Sequence, residues 1–133
     1  MALRRERKIT IVELQSPKPG NVEDEIKWLC RCLDLDPKRD KIAFQIFLHL
    51  LNASRNGKGR RSIEVTRHLN VTQAAVVYHI NGFLRIGVVE KKGREYHLRG
   101  GSLEHAVIEM EGDMIRRMRL LRQIAGRIDS ELL

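Results

Sequence analysis

Apolar residues recur at helical spacing along most of this chain. Val22, Ile26, Leu29, Cys30 and Leu33 predict an amphipathic helix over 22–34. Asn21 stands ahead of it as an N-cap, and Glu23, Asp24 and Glu25 fill its first turn, where acids suit the helix dipole. A second helix is expected to start at Asp36, as N-cap, with Pro37 at its first position, and to run to Ser54. Ile42, Ala43, Ile46, Phe47, Leu50 and Leu51 mark one of its faces, and Phe44 and Leu48 another, so it reads as a central helix buried on more than one side. Ser62 is expected to cap a short helix reaching about Leu69. After a tight connection at Asn70-Val71, Thr72 caps a further helix to about Ile86, with Val76, Ile80 and Phe83 inward, and Gly87 ends it. Residues 88–92 and 95–98 then pair across Gly93 as a hairpin.

From Ser102 the pattern is again helical and continues to the last residue. Leu103, Val107, Met110, Met114, Met118, Leu121, Ala125, Ile128 and Leu132 are separated by steps of three and four, a near-heptad seam with one irregularity. Such a seam implies a helical partner, and Leu103, Val107, Met110, Met114, Met118, Leu121 and Ile128 are its expected dimerisation residues. Ile108, Ile115 and Ile124 widen the stripe, so the helix is also expected to pack on its own domain. At the other end, residues 1–8 read as a basic arm, 8–14 as a short β-branched strand, and 16–20 as a linker. Three units follow: an arm, strand and amphipathic helix over 1–35, a helix-turn-helix with a hairpin over 36–100, and a C-terminal dimerisation helix over 101–133. The fold class is mainly α with a small β-hairpin wing, a winged helix-turn-helix followed by a long dimerisation helix.

Charge changes the picture more than composition does. The chain of 133 residues carries a formal net charge of +8. Residues 1–36 hold seven basic and seven acidic residues, and residues 101–133 hold five and six. Residues 37–100 hold thirteen basic and four acidic, so the whole excess sits on the middle unit. Clustered excess of this kind is the footprint of a polyanion binder. No apolar run reaches the ~18 residues of a membrane span, and the N-terminus lacks a signal-peptide pattern. The expected location is cytoplasmic, on the nucleoid, with both cysteines reduced.

The candidate chemistry follows from the facing of the helix over 72–86. Its core side takes Ala75, Val76, His79, Ile80 and Phe83, leaving Thr72, Gln73, Ala74, Val77, Tyr78 and Asn81 outward. A helix fits the major groove, which is ~12 Å wide; there Gln73 and Asn81 can pair with adenine, Ala74 and Val77 can meet a thymine methyl, and Tyr78 can reach a phosphate or base edge. Lys91, Lys92 and Arg94 crowd the hairpin tip, where they can grip backbone or the minor groove, and Arg60 and Arg61 in the preceding loop can add to the same surface.

The run Val76-Val77-Tyr78-His79-Ile80-Asn81-Gly82-Phe83-Leu84-Arg85-Ile86-Gly87-Val88-Val89 resembles the recognition-helix signature of the arsenic-repressor-type (ArsR-like) winged-helix regulators. Lys92-Gly93-Arg94-Glu95-Tyr96-His97-Leu98 is similar to the wing that follows it in that family. The resemblance spans residues 38–99 and implies a dimeric, DNA-binding transcription regulator. Gly82 stands where the family usually has an apolar residue, and a mid-helix glycine costs ~1 kcal/mol relative to alanine. Asn81-Gly82 is also a hairpin-turn dipeptide, but its flanks repeat at three to four residues and not at two.

Some members of that class hold a metal through a Cys pair on the helix-turn-helix. Here Cys30 and Cys32 precede the motif, and side chains two apart on a helix diverge by ~200°. None of the five histidines pairs with another at three- or four-residue spacing. No metal and no cofactor is expected. Glycine-rich phosphate loops, nucleophile elbows and metalloprotease motifs are absent from the sequence, so no enzyme is expected. The leading expectation is a sequence-specific regulator, read as a repressor, that binds double-stranded DNA as a homodimer with its recognition helices ~34 Å apart. Two alternatives stay open: a nucleic-acid or chromatin protein without sequence preference, and a protein-interaction adaptor.

Overall fold

Each helix boundary in the computed structural model, which describes residues 15–17 and 19–132, has a local cause. The expected arm and strand over 1–14 lie outside the described residues. Helix α1 (Val22–Cys32) is capped by Asn21, whose Oδ1 accepts the Asp24 N–H at 3.1 Å. It stops two residues early because Asp34 turns the chain into the left-handed region, at φ 62°. That turn drops Leu33 and Leu35 into the core beside Cys30.

Helix α2 (Lys41–Ser54) starts later than Asp36-Pro37 suggested. The Asp36 carboxylate accepts the Lys38 N–H at 3.0 Å, closing a turn over 36–39, and the true cap is Asp40, whose Oδ1 accepts the Ala43 N–H at 3.1 Å. Two aspartates four residues apart compete for one helix start, and the first makes a local side-chain turn instead. From α2, Ala43, Ile46, Phe47 and Leu50 point into the core. Phe47 meets Phe83 edge-to-face with ring centroids 6.0 Å apart.

Helix α3 (Ser62–Leu69) is capped from Arg61 and not from Ser62. Glu64 reaches back so that its Oε1 accepts the Arg61 N–H at 2.9 Å, which leaves Ser62 as the first helical residue. Asn70, in the left-handed region, reverses the chain into helix α4 (Gln73–Ile86). Thr72 caps α4 through its hydroxyl, which accepts the Ala75 N–H at 3.1 Å. Gly82 lies buried inside this helix, so Asn81-Gly82 is no turn. Gly87, at φ 85°, closes α4 by donating to the Phe83 and Leu84 carbonyls.

Strands β1 (Val89–Lys92) and β2 (Glu95–Leu98) pair antiparallel, Val89 against Leu98 and Lys92 against Glu95, around Gly93-Arg94. Val88, expected in the strand, instead donates its N–H to the Phe83 carbonyl. Arg60 adds a single extra rung, exchanging backbone hydrogen bonds with Tyr96 at 3.0 and 2.8 Å. Its neighbour Gly59 is buried against His97, where a Cβ would come within 2.3 Å of the ring.

Helix α5 (Leu103–Leu132) follows a short 3-10 turn, Arg99–Gly101. The Ser102 hydroxyl caps it by accepting the His105 N–H at 3.1 Å. Only its first turns pack on the domain. Ala106 and Met110 are buried and Leu103 packs against the core, so Leu103 and Met110, expected at a dimer seam, are taken up by the chain's own interior. The Arg99 guanidinium anchors this end of the helix to Glu109 and Asp113, each at 2.6 Å. It thereby holds the Asp113 carboxyl below the usual carboxylate range. Residues 114–132 are exposed throughout. The described residues are thus mainly helical, five helices with one two-stranded hairpin, and no helix among them is long and apolar enough to cross a membrane.

Candidate nucleic-acid interface

The inner face of helix α4 follows its sequence pattern, but Val77 and Tyr78, expected outward, are half-buried. Val76, His79, Ile80 and Phe83 are buried and Ala75 is half-buried. Thr72, Gln73, Ala74 and Asn81 are exposed. The position of α4 is set from both sides. Phe83 packs on Phe47 of α2, and His79 places Nδ1 3.8 Å from the Asp40 carboxylate at the start of α2. The Tyr78 ring lies edge-to-face with His79 at 5.1 Å.

Gln73 does something its sequence position did not announce. Its Nε2 donates to the Ser62 hydroxyl at 2.9 Å, and its Oε1 accepts the Thr66 hydroxyl at 3.0 Å. Ser62 and Thr66 are one turn apart on α3, so the amide staples the start of α4 to α3. These bonds fix the orientation of the amide and leave one N–H and one lone pair for any further partner. Asn81 and the exposed methyl of Ala74 remain as outward groups suited to a base edge, while Thr72 has its hydroxyl oxygen engaged as the helix cap.

On the hairpin, Lys91 lies across from Tyr96, its Nζ 5.5 Å from the ring centroid. Such a contact steadies a lysine without removing its charge. Lys92 pairs with Glu90 at 3.2 Å, and Arg94 is exposed at the turn. Arg60 lies alongside β2 at Tyr96 and not in a free loop, and Arg61 follows it at the start of α3. Arg60 is held by its backbone rung to Tyr96, and Arg61 contacts Glu64 at 3.3 Å. Hydrogen bonding from the Arg61 backbone holds the Glu64 carboxyl below its ordinary range, so Glu64 offsets part of this local positive charge.

Two features depend on the tertiary fold alone. His49 of α2 and His68 of α3, far apart in sequence, lie ring to ring with centroids 4.6 Å apart and planes tilted by 44°. The His49 Nε2 is buried and has no hydrogen-bond partner among the described residues. Burial, then the charge on His68 and Arg60, pushes His49 below the ordinary histidine value. The second is Arg99, whose Nη1 also donates to the Gly87 carbonyl at 3.4 Å, joining the end of α4 to α5. No local pattern marks either one.

The cysteines offer little chemistry. Burial pushes the Cys30 thiol up to about 12 and raises Cys32 as well, which makes both poor nucleophiles near neutral pH. Among the described residues no three His, Cys, Asp or Glu side chains converge on a common point. No protein-family model matches this chain, and no curated protein or solved structure is significantly similar to it.

Proposed function

We propose that this protein binds double-stranded DNA, with α4 in the major groove and the β1–β2 hairpin on the backbone or minor groove, and that it acts as a dimeric transcriptional regulator on the nucleoid. The observation that carries this reading is the combination of a capped, outward-facing helix with an adjoining cationic hairpin, both inside the segment that holds the whole positive excess. The order α2, single rung at Arg60, α3, α4, β1, β2 supports this reading, since it fits the winged helix-turn-helix that the resemblance to arsenic-repressor-type regulators implies. The α3–α4 staple through Gln73 supports it too, because a helix that reads DNA must be held rigid by its neighbour. Phosphate contacts from Lys91 and Arg94 would set register, and base-edge contacts from Asn81 and Ala74 would set preference.

One observation favours a second reading, binding without sequence preference: the Gln73 amide is already bonded at both ends, which thins the polar set available for bases. Titration of a random duplex and of a duplex selected from a random pool, at one salt concentration, separates the two. Selective binding of ~1000-fold or more is expected of the regulator. Equal affinities would establish the second reading, and no binding to either duplex at low salt would end both.

A further inference from the structure

The distal part of α5 carries a complete apolar seam that the chain itself leaves uncovered. Met114, Met118, Leu121, Ala125, Ile128 and Leu132 alternate by four and three, the spacing of a helix pair. Met118 is 62% exposed, Leu121 60% and Leu132 80%. Contiguous apolar surface of this kind marks an interface. What decides its partner is the charge beside it. Arg117, Ile124 and Glu131 precede the seam residues Met118, Ala125 and Leu132 on one flank; Ile115, Arg122 and Asp129 follow Met114, Leu121 and Ile128 on the other.

Two copies side by side in the same direction would bring Arg117 of each against Arg122 of the other, two like-charge contacts with no opposite pair to offset them. Reversing one helix changes the flank contacts. Layers of Met114 on Leu132, Met118 on Ile128 and Leu121 on Ala125 then place Arg117 against Glu131 twice and Ile124 against itself. Arg122 meets its own copy once, at the two-fold axis, and Ile115 faces Asp129 of the second copy twice.

A second observation points the same way. A largely apolar groove of about 420 Å³ lies between α1 and α5, lined by Trp28, Leu29, Leu33, Val107, Met110 and Met114, with Cys32 and Glu111 also on its wall. It is continuous with the seam, because Met114 belongs to both. Reversed pairing brings Leu132 of one copy to Met114 at the groove mouth of the other. Same-direction pairing leaves it 18 residues away, ~27 Å along the helix.

We propose that two copies pair through residues 114–132 of α5 in antiparallel register, Met118 against Ile128 of the second copy, with Leu132 of each at the mouth of the other's α1–α5 groove. This rests on the reading of the chain as a paired DNA binder and specifies how the pair is made.

The test is disulfide trapping in the full chain, with Cys32→Ser to lower background. Met118→Cys and Ile128→Cys are oxidised separately and mixed. Antiparallel pairing yields a covalent dimer from the mixture and little from either variant alone. Strong dimers from each variant alone would mean same-direction pairing and overturn the proposal, as would a monomer by sedimentation of the unaltered chain at micromolar concentration. Arg117→Glu should weaken self-association ~10-fold, and adding Glu131→Arg should restore it to within ~3-fold; an unrestored double variant would also overturn it. Duplex binding is scored in parallel. A monomer that still binds duplex sinks only the pairing, and a trapped dimer that binds no duplex sinks only the DNA reading.

Discussion

Residues 22–113 and residues 114–132 follow the same alternation of apolar and polar positions and meet opposite fates. In the first region the stripes of α1 to α4 and the opening of α5 close on one another, with Phe47, Phe83, Ile46, Ile80 and Leu98 fully buried. In the second, an equally regular stripe faces outward along its whole length. Periodicity therefore reports that a face is built to be covered; it does not report by what. The division falls within one helix, at the point where Arg99 holds Glu109 and Asp113.

The largest expected effect breaks the comparison at its core. Phe47→Ala removes the edge-to-face partner of Phe83 and should lower stability by about 3–5 kcal/mol in denaturant unfolding. Leu121→Ala, measured where the chain is monomeric, should change stability by only ~0.5 kcal/mol or less, since nothing in its own chain covers that side chain. Comparable losses from both would mean that the distal helix folds back on the domain.

Gly59→Ala tests the rung that ties the loop to the hairpin. A Cβ there would fall on the His97 ring, so His97 must swing out, at a cost of about 1–2 kcal/mol in thermal unfolding. An unchanged melting curve would mean that this contact is not maintained. Smaller still, Gln73→Ala removes two exposed hydrogen bonds between α3 and α4 and should lower stability by about 1 kcal/mol. If it instead left stability intact and altered base preference, Gln73 would be a reader and not a staple.

The smallest effect is a pH dependence. His49 is held below its ordinary value in the fold, so on acidification the unfolded chain takes up the proton first. Stability is then full above about pH 6.5, the unfolded value, and falls as pH drops from there towards the lowered folded value. His49→Leu should flatten that fall in unfolding curves taken from pH 7.5 to 5; an unaltered slope would place its origin elsewhere.

Helix ends were legible in the sequence wherever one residue could do the capping. Asn21, Thr72 and Gly87 are such cases, and each acts where the pattern put it. Where two residues could compete, local reasoning chose wrongly: Asp36 against Asp40, and Ser62 against Arg61 with Glu64. The buried face of α4 was legible because its apolar positions repeat within a single helix, whereas the half-burial of Val77 and Tyr78 was not. The engagement of Gln73, the His49–His68 contact and the Arg99 anchor were not legible either, since each joins elements whose relative placement only the folded chain defines. Leu103 and Met110 were misassigned for a related reason: one stripe on α5 serves two neighbours, the domain first and the exposed seam after it.

Whether α4 and the hairpin hold a duplex is read most directly from the salt dependence of binding to one selected duplex. The intact chain should show a steep linear fall of log affinity with log salt, and replacing Lys91 and Arg94 together by alanine should reduce that slope by about 2. An unchanged slope in the double variant, with the intact chain still binding, would place the DNA on another face of the molecule and contradict the account.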